Sequence, residues 1–156
     1  PLLPGAMGSA AFDNEGVATA PRDIVCGGVL QSYILSSYSA RRLKMETTGN
    51  AGGVHNLTID PGEQDLEAMI KGITSGLLVT ELIGFGVNTV TGDYSRGAAG
   101  LWIENGEIAY PVEEITIAGN LKDIFCNIVA VGSDVDPRRN IRCGSIRVDG
   151  LTIAGE

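Results

Sequence analysis

The side chains of this chain that carry reactive chemistry are few and widely spaced. His55 is the only histidine, and the three cysteines are Cys26, Cys126 and Cys143. A catalytic zinc site usually needs three protein ligands, and zinc-binding cysteines typically come in closely spaced pairs. This spacing therefore predicts no metal site in the chain, and it predicts reduced thiols of the kind found in cytoplasmic proteins. We interpret His55 as a structural hydrogen-bonding residue.

Two side chains are candidate nucleophiles for a hydrolase. Ser95 lies beside Asp93 and Arg96, but the segment Gly-Asp-Tyr-Ser-Arg-Gly differs from the Gly-x-Ser-x-Gly elbow of serine hydrolases. Cys143 with His55 would form a thiol–imidazole pair if the fold brought them together. A hydrolase that uses Cys143 or Ser95 is therefore one alternative function.

Asp93, Arg96 and Asn120 are the candidate peptide-binding residues. They flank a glycine-rich, strand-forming region. A curved sheet with an accessible backbone can accept an extended peptide as an added strand, and such polar side chains can hold its ends or side chains. The competing interpretation is that Asp93 and Arg96 form an ion pair with each other and only hold the loop.

A β-hairpin is the main element predicted to position these residues. Asn105-Gly106 separates two apolar-rich runs, and Asn-Gly favours a type I′ turn because both central residues need positive φ. The apolar faces of the two arms then meet across the turn. The predicted register pairs Ile103 with Ile108 and Leu101 with Tyr110, and Pro111 ends the ribbon.

Periodicity and turn residues predict the remaining elements. A helix begins near Ser37 and is capped by Ser37 or Ser39, and a second follows Pro61 and ends at Gly76. Residues 77–83 are predicted to form a central, buried strand, residues 89–91 a short strand, and residues 121–129 a helix capped by Asn120. Hairpins with few helices between them indicate an α+β, mainly β fold. We expect an antiparallel curved sheet or barrel-like sandwich with two or three short helices.

Composition limits the classes of function. The chain has 156 residues, 22 of them glycine, and a net charge of -8, which argues against nucleic-acid binding. No apolar run is long enough for a membrane helix. Residues 1–20 are predicted to form an extended N-terminal segment and residues 21–156 one β-rich domain. Because the chain opens with Pro1 and not Met, we expect a fragment of a longer protein.

Several long motifs resemble the C-terminal region of the TldD/PmbA family, in particular its PmbA (TldE) branch. The resemblance covers nearly the whole chain. The motifs occur in this order: FDNEGVAT (12–19), SYSARRL (37–43), TTGNAGGVHN (47–56), GDYSRGAAGLWIENGEIAYPVEEITIAGNLKD (92–123) and CGSIRVDGLTIAG (143–155).

The resemblance implies a cytoplasmic, heteromeric metalloprotease that acts on peptides. The catalytic TldD branch resembles zinc proteases with an HExxxH helix and a later cysteine ligand, and this chain has no HExxxH. Cys143 lies about where that cysteine occurs and is a weak metal candidate. The resemblance thus implies a non-catalytic scaffold that lines part of a peptide chamber, without a cofactor of its own. Zinc is expected in a TldD-like partner subunit. The alternative is a free-standing β-rich module that binds peptides or proteins.

Overall fold

The computed structural model describes residues 1–155, and the chain divides into two compact units. The first unit comprises Pro1–Ile59 and Asp136–Arg142, and the second comprises Asp60–Val135 and the segment from Cys143 onward. The predicted boundary after residue 20 stays a prediction.

The elements in chain order are β1 (Val25–Cys26), β2 (Val29–Leu30), α1 (Ser37–Leu43), β3 (Leu57–Thr58), α2 (Leu66–Lys71), β4 (Ser75–Ile83), β5 (Asp93–Glu104), β6 (Glu107–Asn120), α3 (Leu121–Cys126), β7 (Ile128–Val131), β8 (Ile141–Arg142), β9 (Ile146–Val148) and β10 (Thr152–Ala154).

The first unit contains short elements joined by long loops. β1 and β2 form an antiparallel hairpin, and β3 pairs in parallel with β8, which returns from far along the chain. Helix α1 forms as predicted, but its cap is Ser36. The Ser36 hydroxyl accepts the N–H of Ser39, and the Ser39 hydroxyl accepts the N–H of Ser36, which is a reciprocal capping box.

A buried aspartate, Asp13, holds the N-terminal loop of the same unit, and its side chain is 4% exposed. Its two oxygens accept the N–H groups of Glu15, Val17 and Ala51. Burial alone would raise the pKa of this carboxyl group. The hydrogen bonds from the Ala51, Val17 and Glu15 backbone outweigh burial and, with the charge of His55, hold the pKa below its ordinary value.

The second unit is organised around an antiparallel four-stranded sheet in the order β10-β6-β5-β4. Asn105 and Gly106 have φ of 50° and 83°, as a type I′ turn requires, and Ile103 pairs with Ile108 as predicted. The predicted pair of Leu101 with Tyr110 is wrong. The register shifts between Trp102 and Ile103, so Trp102 pairs with Tyr110 and Leu101 with Pro111. The prediction that Pro111 ends the ribbon is also wrong, because β6 continues through Pro111 to Asn120.

The prediction that residues 77–83 form a central, buried strand is wrong. β4 is the edge strand of the sheet, and Val79, Leu82 and Ile83 are exposed. An apolar run of strand length does not specify how many neighbours the strand has. Helix α2, capped by Asp65, ends at Gly72, and Gly76 already lies within β4.

The helix after Asn120 is shorter than predicted. Asn120 does cap α3 by accepting the N–H of Lys122, but the helix ends at Asn127. The apolar residues that follow form β7, which pairs with β9. Residues 89–91 form a turn and not the predicted strand.

The α+β, mainly β class is confirmed, with antiparallel pairing in every sheet except β3–β8 and with an open four-stranded sheet. The core of this sheet is formed by Ala98, Ile115 and Ile117, all buried on one face of β5 and β6. Within residues 1–155, no helix is long and apolar enough to cross a membrane.

Candidate functional site

Asp93 and Asn120 lie side by side where β5 begins and β6 ends. They are direct partners in the strand register, and paired residues of an antiparallel sheet share a face. The Asp93 carboxylate accepts the Thr91 hydroxyl (2.6 Å), and the Asn120 amide donates to the carbonyl oxygen of Thr91 (3.1 Å). Both side chains are therefore engaged in holding the chain that leads into β5.

The segment they hold is the 84–92 loop, which connects β4 to β5. Its bend is set by Asn88, whose side-chain oxygen accepts the N–H groups of Val90 and Thr91. The Asn88 N–H donates to the carbonyl of Asp93 (2.8 Å), and the Gly92 N–H returns to the carbonyl of Asn88 (2.8 Å). This is an Asx-type turn, which explains why residues 89–91 do not pair as a strand.

Arg96 lies on the opposite face of β5 from Asp93. It is paired with buried Ile117, and its Nη2 donates to the carbonyl oxygen of Leu82 on β4 (3.2 Å). Its Nε is buried and has no hydrogen-bond partner. Among the described residues no ion pair joins Arg96 to Asp93, so the interpretation of the two as a loop-holding pair is wrong. Residues three apart on a strand point to opposite faces.

Cys143 is half-buried and its thiol donates to the carbonyl of Gly144 (3.1 Å). Burial, and secondarily the negative charge of Asp134, raise the pKa of the Cys143 thiol. Asp134 is fixed by the N–H and hydroxyl of Ser145. Because thiolate is the form that attacks carbonyls and binds zinc, this environment disfavours both reactions.

The remaining candidates are not gathered into a catalytic group. His55, in the first unit, has its Nε2 3.4 Å from the carbonyl of Gly49. Ser95 is exposed on β5, and its N–H donates to the carbonyl of Gly86 (2.7 Å). Over residues 1–155, no group of three or more His, Cys, Asp or Glu side chains could hold a metal ion. The residues present therefore do not fit the zinc site of a metalloprotease.

Arg138 and Arg139 both interact with a carboxylate close to them in the sequence, that of Asp136. Arg138 donates to Asp136 (2.8 Å), which lowers the pKa of that carboxyl to about 2. Arg139 is 3.9 Å from the same carboxylate. Both guanidinium groups are exposed to solvent. They border a shallow, open pocket lined by Met7, Gly8, Arg138, Arg139 and Asn140.

Sequence reasoning missed three residues of the 84–92 loop. Asn88 shapes it, Phe85 is fully exposed, and Val90 is 92% exposed. A signal was present, because Phe85 stands between Gly84 and Gly86 and an apolar side chain between two glycines is poorly covered by its neighbours. Sequence reasoning predicted only the short strand of residues 89–91 in this region and did not single out Phe85.

Comparison with known proteins gives one consistent result. The chain matches the PmbA/TldA metallopeptidase C-terminal domain over residues 1–155. Metalloprotease PmbA of Escherichia coli O157:H7 is 56% identical over 99% of this chain and 34% of the relative. The crystal structure of a Bacteroides thetaiotaomicron protein, described as a proposed modulator of DNA gyrase, gives a TM-score of 0.89 at 36% identity, over 97% of this chain and 34% of that one. TldE from Thermococcus kodakarensis gives a TM-score of 0.79 at 28% identity, over 94% and 36% of the two chains.

The chain thus spans about a third of the length of each of these relatives. The match to the family runs along nearly the whole chain, and the fold agrees with the solved structures. The chain belongs to the PmbA/TldA metallopeptidase family and corresponds to its C-terminal domain.

Proposed function

We propose that this chain is the scaffold part of a PmbA-like, non-catalytic subunit in a cytoplasmic peptidase complex. A TldD-like partner supplies the zinc and the HExxxH helix, and the substrates are peptides. This chain contributes part of the chamber in which the peptide is held, together with a surface for the partner subunit.

The observation that carries this proposal is the poor supply of metal ligands. The chain has one histidine, and its half-buried cysteine has a raised pKa. In the described part of the chain, no group of three or more acidic, histidine or cysteine side chains is arranged so that it could hold a metal ion. Hydrolysis by a zinc-bound water needs a site that these side chains do not provide.

The edge strand β4 supports a role in holding peptides. An edge strand presents unpaired N–H and C=O groups, to which an extended peptide can add as a further strand. Of the three predicted peptide-binding residues, Arg96 is the one with a hydrogen bond to this strand, from its Nη2 to the carbonyl oxygen of Leu82. Asp93 and Asn120 have an indirect role, because their side chains hydrogen-bond Thr91 and so hold the loop that precedes β5.

The alternative of a free-standing binding module fits less well. Such a module should close its sheet and cover itself with polar side chains. The four-stranded sheet is open, and large apolar side chains such as Phe85, Phe125 and Tyr110 are exposed. Extensive apolar exposure marks surfaces that contact another protein.

The direct test measures metal content and peptide hydrolysis with the same preparations. The purified chain alone is expected to hold well below one zinc per molecule and to leave a test peptide intact. Hydrolysis is expected only when a TldD-like subunit with an intact HExxxH motif is present.

Two results would contradict the proposal. One is stoichiometric zinc bound by this chain alone. The other is hydrolysis of a peptide by the chain alone, without a partner subunit. If Cys143→Ala or Ser95→Ala abolished that hydrolysis while the fold stayed intact, the hydrolase alternative would be favoured.

A further inference from the structure

The tip of the β5–β6 hairpin is docked on the segment that joins α2 to β4. The Asn105 N–H donates to the carbonyl oxygen of Thr74 (2.7 Å), and the Gly106 N–H donates to that of Ile73 (2.8 Å). A Cβ at position 106 would lie 2.9 Å from the carbonyl oxygen of Lys71, so the tip lies close against this segment. Both backbone N–H groups of the turn are therefore engaged while the tip is docked.

The same two residues can react with each other, and they form the one Asn-Gly pair in the sequence. Asparagine is thermolabile, most of all before glycine, which has no side chain to shield its backbone nitrogen. After that nitrogen loses its proton, it attacks Cγ of the asparagine side chain and closes a succinimide ring. The bond from Cγ to the side-chain nitrogen breaks, and this nitrogen takes up a proton and leaves as ammonia. Water then opens the ring at one of its two carbonyl groups, which leaves aspartate or isoaspartate at position 105.

Docking of the tip opposes this reaction, although the Asn105 side chain is exposed. The attacking nitrogen, that of Gly106, would have to give up the proton that it donates to Ile73. It would also have to turn toward Cγ while the Lys71 backbone lies against it. The reaction therefore requires the tip to leave its dock.

We propose that Asn105-Gly106 is a self-modification site whose deamidation is controlled by docking of the hairpin tip. Molecules with a docked tip keep the asparagine, and molecules whose tip opens are converted. The modification is irreversible without an enzyme, so it accumulates in proportion to the time that the tip spends open.

The two products have different effects on the tip. Aspartate at position 105 tolerates positive φ and allows the tip to dock again. Its charge comes beside Glu104 and Glu107, which are paired across the turn, and this repulsion is modest in water. Isoaspartate inserts a methylene into the backbone, so the two hydrogen bonds to Ile73 and Thr74 can no longer form together. Formation of isoaspartate thus keeps the tip open.

The test follows aspartate and isoaspartate at position 105 by peptide mapping with mass spectrometry. The folded chain is compared with the same chain unfolded in urea, at equal pH and temperature. Amide hydrogen exchange of Gly106 is measured on the folded chain in parallel. The variant Asn105→Gly accepts positive φ and has no side-chain amide, so it must remove the signal.

We expect the folded chain to react about tenfold or more slowly than the unfolded chain. The same factor should separate hydrogen exchange of the Gly106 amide from its unprotected rate, since both processes need the same opening. In isolated isoaspartate product, this amide should exchange at close to the unprotected rate.

A matched pair of variants changes the stability of the tip. Ile103 and Ile108 are strand partners beside the turn, but Ile103 is 1% exposed and Ile108 is 50% exposed. Ile103→Val should speed both deamidation and exchange of the Gly106 amide by the same factor, roughly two- to tenfold, while Ile108→Val should leave both rates unchanged. Both variants keep the Asn-Gly pair, so its intrinsic reactivity is constant.

Three results would overturn the proposal. Equal rates in the folded and unfolded chains would show that docking does not control the reaction. Absence of both products from the unfolded chain would show that position 105 is not a modification site. Faster hydrogen exchange in Ile103→Val without faster deamidation would separate the reaction from opening of the tip.

Discussion

At the scale of single residues, the predicted peptide-binding residues fall into two roles. Asp93 and Asn120 face each other across β5 and β6 and hold the 84–92 loop, while Arg96 lies on the other face beside β4. The sequence predicted that the three belong to one region, because they flank the same glycine-rich, strand-forming stretch. It did not predict that positions 93 and 120 are direct partners, because that pairing depends on the register shifts within β5 and β6. It could not predict what each side chain contacts, since those contacts depend on a turn set by Asn88.

The Asn120 side chain makes two structural hydrogen bonds, and we expect its removal to destabilise the fold. Asn120→Ala deletes the cap of α3 and the hydrogen bond to Thr91. We expect the free energy of unfolding to fall by about 1–3 kcal/mol, from the lost cap and the lost hydrogen bond together. Urea unfolding followed by circular dichroism measures this change.

The matched control is Asn127→Ala at the other end of the same helix. Asn127 is exposed, and its part in ending the helix uses its backbone N–H. A change of about 0.5 kcal/mol or less is expected for this surface substitution. Equal effects of the two variants would show that Asn120 has no special structural role.

At the scale of elements, the local features were predicted and the long-range ones were not. The Asn105-Gly106 turn is specified by its own two residues, and therefore the predictions of the hairpin and of its first apolar pair are correct. The bulge that pairs Leu101 with Pro111 could not be predicted, because the alternation of apolar and polar residues does not reveal it. The parallel pairing of β3 with β8, and the pairing of β7 with β9 that shortens α3, join segments with no local signal for each other.

Close approach of backbones makes Gly100 essential to the attachment of β4. A Cβ at position 100 would overlap the carbonyl oxygen of Leu78 on the neighbouring strand. We therefore expect Gly100→Ala to force β4 and β5 apart and to lower the free energy of unfolding by about 1–3 kcal/mol. Amide hydrogen exchange in β4 should speed up at the same time.

Gly72→Ala is the control for this prediction. Gly72 has a φ of -86°, and an added Cβ would meet its nearest atoms at 3.5 Å, an ordinary contact distance. Its effect should stay below about 1 kcal/mol. If Gly100→Ala proved as mild as Gly72→Ala, the close packing of β4 on β5 would not constrain this position.

At the scale of the whole molecule, net charge separates possible partners. This chain carries 19 acidic and 11 basic side chains. Binding to DNA requires Lys and Arg that neutralise phosphates. The composition therefore favours protein and peptide partners for this chain.

We expect the chain not to bind double-stranded DNA even at about 50 mM salt, where phosphate contacts are strong. Fluorescence anisotropy of a labelled duplex titrated with the chain is the measurement, with a basic DNA-binding protein as the positive control. Binding that weakens steeply as salt rises would contradict this prediction and would point to a local basic surface.

The discontinuous first unit has a consequence for biosynthesis. The hairpin of β5 and β6 is complete once Asn120 has left the ribosome, but β3 finds its parallel partner only when Arg142 emerges. Closing so long a loop carries an entropic cost that a hairpin avoids. The nascent chain should therefore form its central ribbon early and finish the first unit last, so that a premature stop before Ile141 would leave β3 unpaired.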